Sequence, residues 1–443
     1  MKRSLRVALL FVSLLLFFII TPFVVLYAIG YRLSTGEARA VPVGVLLLET
    51  LPRRADVYIE NNFIGRTPRA IPNVPPGSVK VSLRKDGFVS WEKNVPVVAT
   101  KTSEFRHIRL FPQNPVKKTL LANASAFSLS PNERLLAVVD KNKKVSFYSS
   151  IGESIVAAQP IPFTPQEIVW APDNSKVLLR TSKRAAVLDL GQSPVLVKEL
   201  PGLGAHSIIG WDPQQSSRLF ITDAKGLVKT YQLSSAAISP IVHTSHPVIT
   251  AAGLYGVGEN HALEQYSLSG RLEKTHLVNV PASLNEIKVA QSGAIAFRTA
   301  SGQLWLVENG TARSLALYTS QAHWSPDGGV LAYQTTSNEV YVTNVSADYM
   351  PYLEGGKQML ALRLSSPITS LAWFGGSHHL LLQVEDALVV AETDTRDFAS
   401  QYKIDTTNTG AASAAASADG AFVYYLKQTK QGLSLMVADL LPE

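Results

Sequence analysis

The 443-residue sequence contains no cysteine, and this absence excludes three kinds of chemistry. Disulfide bridges, thiolate metal sites and cysteine nucleophiles all need a side chain that the protein does not have. Motifs of several enzyme classes are also missing, because neither Gly-x-Ser-x-Gly, His-Glu-x-x-His nor a calcium-loop pattern occurs. We therefore predict no catalytic residue, no metal site and no cofactor, and we expect a protein that is not an enzyme.

One long hydrophobic run stands near the N-terminus. Residues 7–30 carry no charge and follow Lys2, Arg3 and Arg6. As a helix with a rise of about 1.5 Å per residue, this run is roughly 36 Å long and can cross a hydrocarbon core of about 30 Å. A cleavable signal peptide has a shorter apolar core. We therefore predict an uncleaved transmembrane helix over 7–30, followed by a linker over 31–43.

Charges on both sides of this run predict its orientation. The basic residues before it outweigh Arg32 and Arg39 after it, which Glu37 partly offsets. By the positive-inside rule, residues 1–6 form a cytoplasmic tail and the remainder lies outside the cell. We thus predict a single-pass protein of the cell membrane whose C-terminal domains are extracytoplasmic.

Positive charge is concentrated in the membrane-proximal part of the chain. Residues 1–112 contain 16 Lys and Arg against 7 Asp and Glu, whereas the remainder contains 25 against 27. A basic domain beside a membrane can attract anionic lipid headgroups or acidic wall polymers, and the alternative is a solvated surface. Nucleic acid is not an expected partner for a domain outside the cell.

From Gly44 onward the pattern changes to short runs separated by Pro, Gly and Asn. Val57 and Ile59 alternate with polar neighbours, and Asn61-Asn62 suits a tight turn because Asn tolerates positive φ. A further alternating run covers residues 79–83, and a last one covers 102–110. These features predict a small all-β domain over 44–112.

This domain resembles the PEGA domain, a small β-sandwich-like module of bacterial and archaeal envelope proteins. The matching segments are, in order, Leu48–Pro52, Ala55–Ile59, Ile64–Pro68, Val74–Gly77, Lys85–Phe88 and Trp91. The tetrapeptide that names the family is Pro52-Arg53-Arg54-Ala55 here, so Arg54 stands where the family has Gly. If the turn needs a positive φ, it is strained or rebuilt. The resemblance implies an extracytoplasmic module without catalytic activity.

Four arginines of this domain form the one binding site that we predict. Arg53, Arg54, Arg66 and Arg69 fall in predicted turns, with Trp91 nearby. Together they are expected to form a cationic edge for polyanionic glycan or phospholipid headgroups, with the indole as an aromatic platform. The alternative is a set of four solvated turn residues and a core tryptophan.

Histidines and glycines offer weaker candidates. His378-His379 falls in a predicted turn and His243 and His246 in a loop, and zinc would need a third ligand beside either pair. We interpret these histidines as surface residues. Gly253, Gly256 and Gly258 give a predicted Gly-rich loop, but no helix follows whose N-terminus could bind phosphate.

A turn motif repeats through the distal part of the chain. Pro131, Pro172 and Pro213 stand 41 residues apart, and the clearest copy is Trp324-Ser325-Pro326-Asp327-Gly328. Degenerate copies stand near Tyr255, Gly293, Gly375 and Asp419. A period near 41 with several short strands is typical of the four-stranded blades of a propeller. We predict a β-propeller over 116–443 with eight blades, or seven as the alternative.

The Ser-Pro-Asp-Gly unit is similar to the repeats of TolB-type and WD-type β-propellers. Four of the six tryptophans precede the turn, and we expect them to pack between neighbouring blades. We also expect the strand 117–121 to complete the last blade near 434–440. The whole pattern predicts a membrane-anchored binding or structural protein of the cell envelope, whose propeller contacts a protein or glycan. The alternatives are a propeller hydrolase (glycosidase or peptidase) acting on envelope polymers and a single-pass sensor.

Overall fold

The protein is described here by a computed structural model. It covers residues 3–28, 30–33, 40–203, 206–308, 310–335, 338–345, 350, 352–409 and 413–441. The predicted all-β class is confirmed, since the described residues form one helix and otherwise strands and turns. The chain divides into two compact units, Met1–Asn114 with Thr395–Ser400, and Pro115–Asp394 with Gln401–Glu443.

The one helix, α1 Arg3–Ala28, begins four residues before the predicted start and ends two before the predicted end. Residues Leu9–Ala28 are apolar enough to cross a membrane, and none of them is buried in the protein. A helix that is apolar on all sides and largely exposed is unfavourable in water, so its sequence suits a bilayer. Pro22 lies inside the helix, where membrane-spanning helices tolerate proline.

The predicted linker 31–43 contains regular structure. β1 Tyr31–Leu33 pairs antiparallel with β2 Ala40–Pro42 in a two-stranded sheet. The residues between these strands lie outside the described part of the chain.

Seven further strands build two sheets of the first unit. They are β3 Gly44–Leu51, β4 Asp56–Ile59, β5 Asn62–Arg66, β6 Arg69–Val74, β7 Gly77–Arg84, β8 Trp91–Val97 and β9 Thr102–Arg109. One sheet has the order β6–β3–β9, with β3 and β9 parallel, and the other has the order β5–β4–β7–β8. Alternate side chains of β3, β4, β7 and β8 form one hydrophobic core, because successive residues of a strand point to opposite faces.

The segment Thr395–Ser400 belongs to the first unit, although it lies far along the chain. The guanidinium of Arg396 lies 3.6 Å from the centre of the Phe105 ring, and its Nη2 donates to the carbonyl of Glu104 at 2.8 Å. The backbone amide of Asn94 donates to Asp397 Oδ2 at 2.7 Å. Nothing in the repeat pattern indicated that these residues group with the first unit.

The second unit is built from four-stranded antiparallel sheets, of which eight are found in the described residues. Sheets 1 and 2 contain β11 Ala124–Leu129, β12 Leu135–Asp140, β13 Lys144–Ser149, β14 Ser154–Pro160, β15 Glu167–Trp170, β16 Lys176–Arg180, β17 Ala185–Asp189 and β18 Leu196–Glu199. Sheets 3 and 4 contain β19 His206–Asp212, β20 Gln215–Asp223, β21 Leu227–Gln232, β22 Ile238–His243, β23 Ser245–Thr250, β24 Gly253–Val257, β25 Ala262–Tyr266 and β26 Leu272–Asn279.

The remaining four sheets follow the same plan. Sheets 5 and 6 contain β27 Leu284–Val289, β28 Ile295–Thr299, β29 Leu304–Glu308, β30 Thr311–Ala316, β31 Gln321–Trp324, β32 Val330–Gln334, β33 Glu339–Asn344 and β34 Gln358–Arg363. Sheets 7 and 8 contain β35 Ile368–Trp373, β36 His379–Val384, β37 Ala387–Glu392, β38 Gln401–Thr406, β39 Ala414–Ala416, β40 Phe422–Thr429, β41 Gly432–Asp439 and β10 Val116–Leu121.

Each sheet has two ends that differ in their connections. The turn between the first and second strands and the connection between the third and fourth lie at one end, because neighbouring strands are antiparallel. We name it the turn end. The loop between the second and third strands, and the connection to the next sheet, lie at the opposite end, which we name the loop end.

The repeated turn is held by side chains of its own residues. In the clearest copy, Ser325 Oγ donates to Asp327 Oδ1 at 2.5 Å and accepts from the amide of Val330 at 3.0 Å. Ser417 and Asp419 repeat the first of these bonds at 2.6 Å. Gly328 has a φ of 71°, which explains the glycine at this position of the turn.

Tryptophans connect neighbouring sheets, as predicted. The indole Nε1 of Trp170, Trp211, Trp324 and Trp373 donates in each case to a backbone carbonyl on the first strand of the preceding sheet, at 2.9–3.1 Å. The acceptors are the carbonyls of Ser128, Val169, Lys288 and His323. Each of these tryptophans therefore fills the space between two sheets and also donates to a backbone carbonyl of the preceding sheet.

The last sheet is completed by a strand from the start of the unit. β10 pairs antiparallel with β41, which confirms the predicted closure. Asp405 of β38 reinforces it, because its carboxylate lies 3.1 Å from Lys117 Nζ of β10 and 2.8 Å from Lys427 Nζ of β40. Tyr425 OH donates to the same carboxylate at 2.6 Å. One largely buried acid thus connects sheet 7 to two strands of sheet 8.

Candidate functional site

The predicted cationic edge is assembled by backbone bonds around Thr67. The amide of Arg54 donates to the Thr67 carbonyl at 2.9 Å, and the amide of Thr67 donates to the Ala55 carbonyl at 2.9 Å. The amide of Ala55 in turn donates to Thr67 Oγ1 at 3.0 Å. These bonds bring the segment 53–54 beside the segment 66–69. All four arginines of the edge are exposed.

The four arginines differ in their partners. Arg66 Nε lies 2.7 Å from Asp56 Oδ1, so its charge is largely balanced. The guanidinium of Arg69 lies against Gly65, where an added Cβ would stand 2.9 Å from it. Within the described ranges, no ion pair includes Arg53, Arg54 or Arg69. Three cations of the edge therefore keep their charge available.

Arg54 adopts a left-handed backbone conformation, which favours glycine. Its φ is 64°, so the arginine is strained at this position. A left-handed conformation costs a side-chain-bearing residue about 1–2 kcal/mol relative to glycine. No side-chain hydrogen bond or ion pair of Arg54 offsets this strain in the described structure. Strain of this kind is found preferentially at functional positions.

Trp91 is not part of this edge. Its side chain is 4% exposed, and its ring meets that of Phe105 edge to face at a centroid distance of 6.1 Å. The residue points inward because it shares the buried face of β8 with Val95 and Val97. The predicted aromatic platform is therefore wrong, and the core interpretation of this tryptophan is correct.

Other sequence candidates also occupy different places from those predicted. His379 is the first residue of β36, is 5% exposed and lies beside Phe374, so the surface interpretation is wrong for this histidine. His243 and His246 are exposed. The predicted Gly-rich loop is largely the strand β24, in which Gly256 leaves room for Thr244.

Carboxylates on the first strands of two sheets, Glu167 and Glu286, serve contacts between sheets. Glu167 accepts from Arg180, which also donates to the Ile208 carbonyl of the next sheet. Glu286 lies 3.3 Å from Arg298, which donates to the carbonyls of Thr319 and Ser320 at 3.1 and 2.8 Å. No group of three or more His, Asp or Glu side chains placed to hold a metal occurs in the described part of the chain.

A cleft that the sequence did not indicate opens at the loop end between sheets 2 and 3. Its volume is about 220 Å³. Gln166, Arg180 and Lys183 line it from sheet 2, and His206 and Ser207 line it from sheet 3. The loop 181–184 is fixed in place, since Gln166 Oε1 accepts from the amide of Ser182 at 3.0 Å. The cleft therefore has a polar wall.

The charges around this cleft are paired with one exception. Arg180 pairs with Glu167 at 2.6 Å, and Arg184 pairs with Glu199 at 2.8 Å. Lys183 is exposed on the loop, and no ion pair in the described part of the structure includes it. The cleft thus carries a surplus of one positive charge.

Comparisons with known proteins agree with the two units. Residues 43–110 match the PEGA domain family. The chain is similar to the C-terminal WD40 domain of Sif2, with 12% identity, a TM-score of 0.52, and 74% of this chain and 99% of that chain covered. It is also similar to dihydro-heme d1 dehydrogenase NirN, with 12% identity, a TM-score of 0.50, and 74% and 78% covered. No curated protein matches the chain in sequence.

The family match confirms the resemblance to the PEGA domain. At 12% identity the structural similarities establish the β-propeller fold alone, and they say nothing of what this chain binds. The number of blades stays a prediction.

Proposed function

We propose that this chain is a membrane-anchored, extracytoplasmic binding or structural protein of the cell envelope. In this proposal α1 remains as the anchor, its N-terminus is cytoplasmic, and the loop end of the propeller contacts a protein or glycan partner. The exposed apolar helix supports the anchor. The PEGA domain supports an extracytoplasmic place for the remainder, because this module is typical of envelope proteins.

The observation that carries the proposal is that the propeller has carboxylates paired with arginines and an open polar cleft. The carboxylates Glu167 and Glu286 on the first strands are held by arginines, and the cleft at the loop end, which Glu167 also lines, is open and polar. Catalysis needs groups that are free to exchange protons or bind metal, and recognition needs an accessible, rigid polar surface. We therefore assign binding, and no catalytic activity, to this propeller.

Site-specific cross-linking tests the proposed binding face. Leu317 at the loop end is 79% exposed, and Leu196 at the turn end is 52% exposed, so the two leucines form a matched pair. We expect a photo-reactive residue at position 317 of the full-length protein to form a discrete adduct in native membranes. The same residue at position 196 should form none. Equal adducts at both positions, or none at 317, would contradict the proposal.

A second role is favoured by the strain at Arg54, which is kept without any compensating contact in the described residues. We propose that the cationic edge of the first unit binds anionic headgroups or acidic wall polymer. Guanidinium groups suit this role because they donate several hydrogen bonds to one anionic group. The unpaired charges of Arg53, Arg54 and Arg69 are the ones available for it.

We expect reversal of all four edge charges, with Arg53, Arg54, Arg66 and Arg69 each replaced by Glu, to abolish retention on anionic vesicles. Each cation near an anionic surface contributes about 1 kcal/mol, so Arg53→Glu alone should weaken retention severalfold, and added salt should reduce the effect. Full-length protein in neutral nanodiscs can be tested by co-sedimentation with vesicles or purified wall polymer.

The matched control for this edge is Lys101→Glu. Lys101 is exposed in the same unit, and its carbonyl accepts from Val45 at the other end of β3. Arg54→Gly adds an independent readout, since it should stabilise the first unit by about 1 kcal/mol while weakening retention. Equal losses from Lys101→Glu and Arg53→Glu would reduce the edge to a general charge effect and refute the specific site.

A further inference from the structure

The cleft at the loop end contains a histidine with one unsatisfied nitrogen. His206 Nε2 lies 3.3 Å from Lys229 Nζ. An ammonium group can only donate, so Nε2 accepts and the proton of the neutral ring is on Nδ1. This Nδ1 is buried, and it has no hydrogen-bond partner among the described residues. The ring of a residue that lines the cleft therefore has a donor without an acceptor.

The position of His206 is fixed by its neighbours. Lys229, which donates to the ring, is itself held by Asp223, whose Oδ2 lies 2.9 Å from Nζ. Hydrogen bonds from Lys229 and from backbone amides lower the pKa of Asp223 to about 2, so this carboxylate stays ionised at neutral pH. The chain Asp223–Lys229–His206 thus maintains one tautomer of the ring.

The lining of the cleft is richer in donors than in acceptors. The side chains of Lys183, Ser182 and Ser207, which can all donate hydrogen bonds, line it together with His206. The acceptor Gln166 Oε1 is used by the Ser182 amide, and one oxygen of Glu167 is used by Arg180. A ligand that fits this lining brings oxygen acceptors rather than further donors.

The net charge of the residues around the cleft narrows the class of ligand further. Lys183 supplies a surplus of one positive charge, because the arginines and Lys229 are paired with carboxylates. A group with a single negative charge balances it, whereas a doubly charged phosphate ester would leave one charge without a partner. Carboxylates and phosphodiesters both carry one charge and two or more acceptor oxygens.

We propose that this cleft binds one monoanionic oxygen group, a carboxylate or a phosphodiester, of an extended ligand. Lys183 provides the charge, and His206 Nδ1, which is covered in this structure, provides a donor when entry of the ligand uncovers it. The assignment deepens the proposed function by giving the chemical class that the loop end recognises.

The test is a calorimetric titration of the full-length protein in neutral nanodiscs. The probes are a hexamer of galacturonate for the carboxylate, an oligomer of glycerol phosphate for the phosphodiester, and maltohexaose as the neutral control. We expect one of the anionic probes to bind and maltohexaose not to bind, and the anion that binds identifies the source of the charge. Binding of neither anion, or equal binding of the neutral sugar, would overturn the assignment.

Variants locate the binding in the cleft. We expect Lys183→Ala to weaken affinity about tenfold, since it removes a charge-assisted contact. His206→Ala should weaken it similarly, and His206→Asn should restore part of the loss because its amide keeps a donor near the position of Nδ1. Lys225→Ala is the matched control, since Lys225 is exposed on the corresponding loop of sheet 3 and is not in the cleft.

Unchanged affinity in Lys183→Ala, or a loss of equal size in Lys225→Ala, would also refute the site. Thermal unfolding of each variant without ligand shows whether it is folded, and a ligand-dependent rise of the midpoint gives a second measure of binding. The titration needs no partner protein. Its failure therefore refutes the ligand class alone, whereas failure of the cross-linking at Leu317 refutes the proposed binding face.

Discussion

Replacing Trp211 by alanine is expected to lower the free energy of unfolding of the propeller by about 3–5 kcal/mol. The indole is 6% exposed, packs in the core between sheets 2 and 3, and donates to the Val169 carbonyl at 3.1 Å. The variant loses this apolar contact, opens a cavity and leaves the Val169 carbonyl without its donor. Urea unfolding of the full-length protein, followed by circular dichroism, measures the change.

A pair of phenylalanine variants separates the hydrogen bond from the packing. Trp211→Phe keeps most of the apolar volume and should cost about 1–3 kcal/mol through the unsatisfied carbonyl. Trp305 is the matched control, because its ring stacks on Phe297 while its Nε1 has no hydrogen-bond partner in the described structure. Trp305→Phe should therefore cost less than Trp211→Phe. Equal costs would show that the indole hydrogen bond contributes nothing.

The second large effect is expected for Asp405→Asn, which should lower the free energy of unfolding by about 3 kcal/mol. The carboxylate is 11% exposed and balances Lys117 and Lys427, which are themselves largely shielded from water. The amide keeps the shape but leaves two half-buried ammonium groups without a counter-charge. Thermal or urea unfolding of the full-length protein measures the loss.

Asp405 also gives the stability a dependence on pH. Burial alone would raise the pKa of this carboxyl, but hydrogen bonds from Lys427 and Tyr425 outweigh burial and lower the pKa from 3.8 to about 2. The pKa of Asp405 is lower in the folded state than in the unfolded state. The contribution of its ionised carboxylate to the free energy of unfolding is therefore complete above about pH 5 and is lost as the pH falls towards 2. It amounts to about 2 kcal/mol. The Asp405→Asn variant should lack this pH-dependent part of the free energy of unfolding.

Glu199→Gln is the control for this prediction. Glu199 also lies on a fourth strand and pairs with an arginine at 2.8 Å, but both side chains are 47% exposed. Exposed pairs contribute little because water and salt screen them. We expect its unfolding midpoint to stay close to that of the unmodified protein. A loss in Glu199→Gln as large as that in Asp405→Asn would refute the special role of the buried acid.

The sequence predicted those parts of the fold in which the pattern of apolar and turn residues matches the side chains that are buried. The proline-containing turns and the tryptophans before them predicted the propeller, because each repeat needs the same turn and the same contact with its neighbour. In the first unit, β8 was missed because Lys93 occupies an inward position, with 2% exposure, in an otherwise alternating strand. β6 was missed because Ile71 and Val74 are its only buried residues and do not alternate.

The candidate sites were predictable to different degrees. The resemblance left open whether Arg54 is strained or the turn is rebuilt, and the positive φ of Arg54 in the structure shows the strained arginine. The inward position of Trp91 depended on the strand that had been missed. The cleft was not predictable, since Gln166, Lys183 and His206 come together only through the packing of two sheets. The nearest signal in the sequence would have been a comparison, from one repeat to the next, of the polar residues at the end of the second strand, where the cleft lies.

The pairing of β10 with β41 affects when this protein can finish folding during its synthesis. Thr119 and Met436, whose side chains meet in this pairing, are 317 residues apart. At about 5–20 residues per second, a ribosome needs roughly 15–60 seconds to deliver the partner of the earlier strand. Throughout that time β10 is an unpaired edge that chaperones can bind or other chains can join. Translation that stops before β41 leaves β10 without its partner, so the last sheet can form only after β41 has been synthesised.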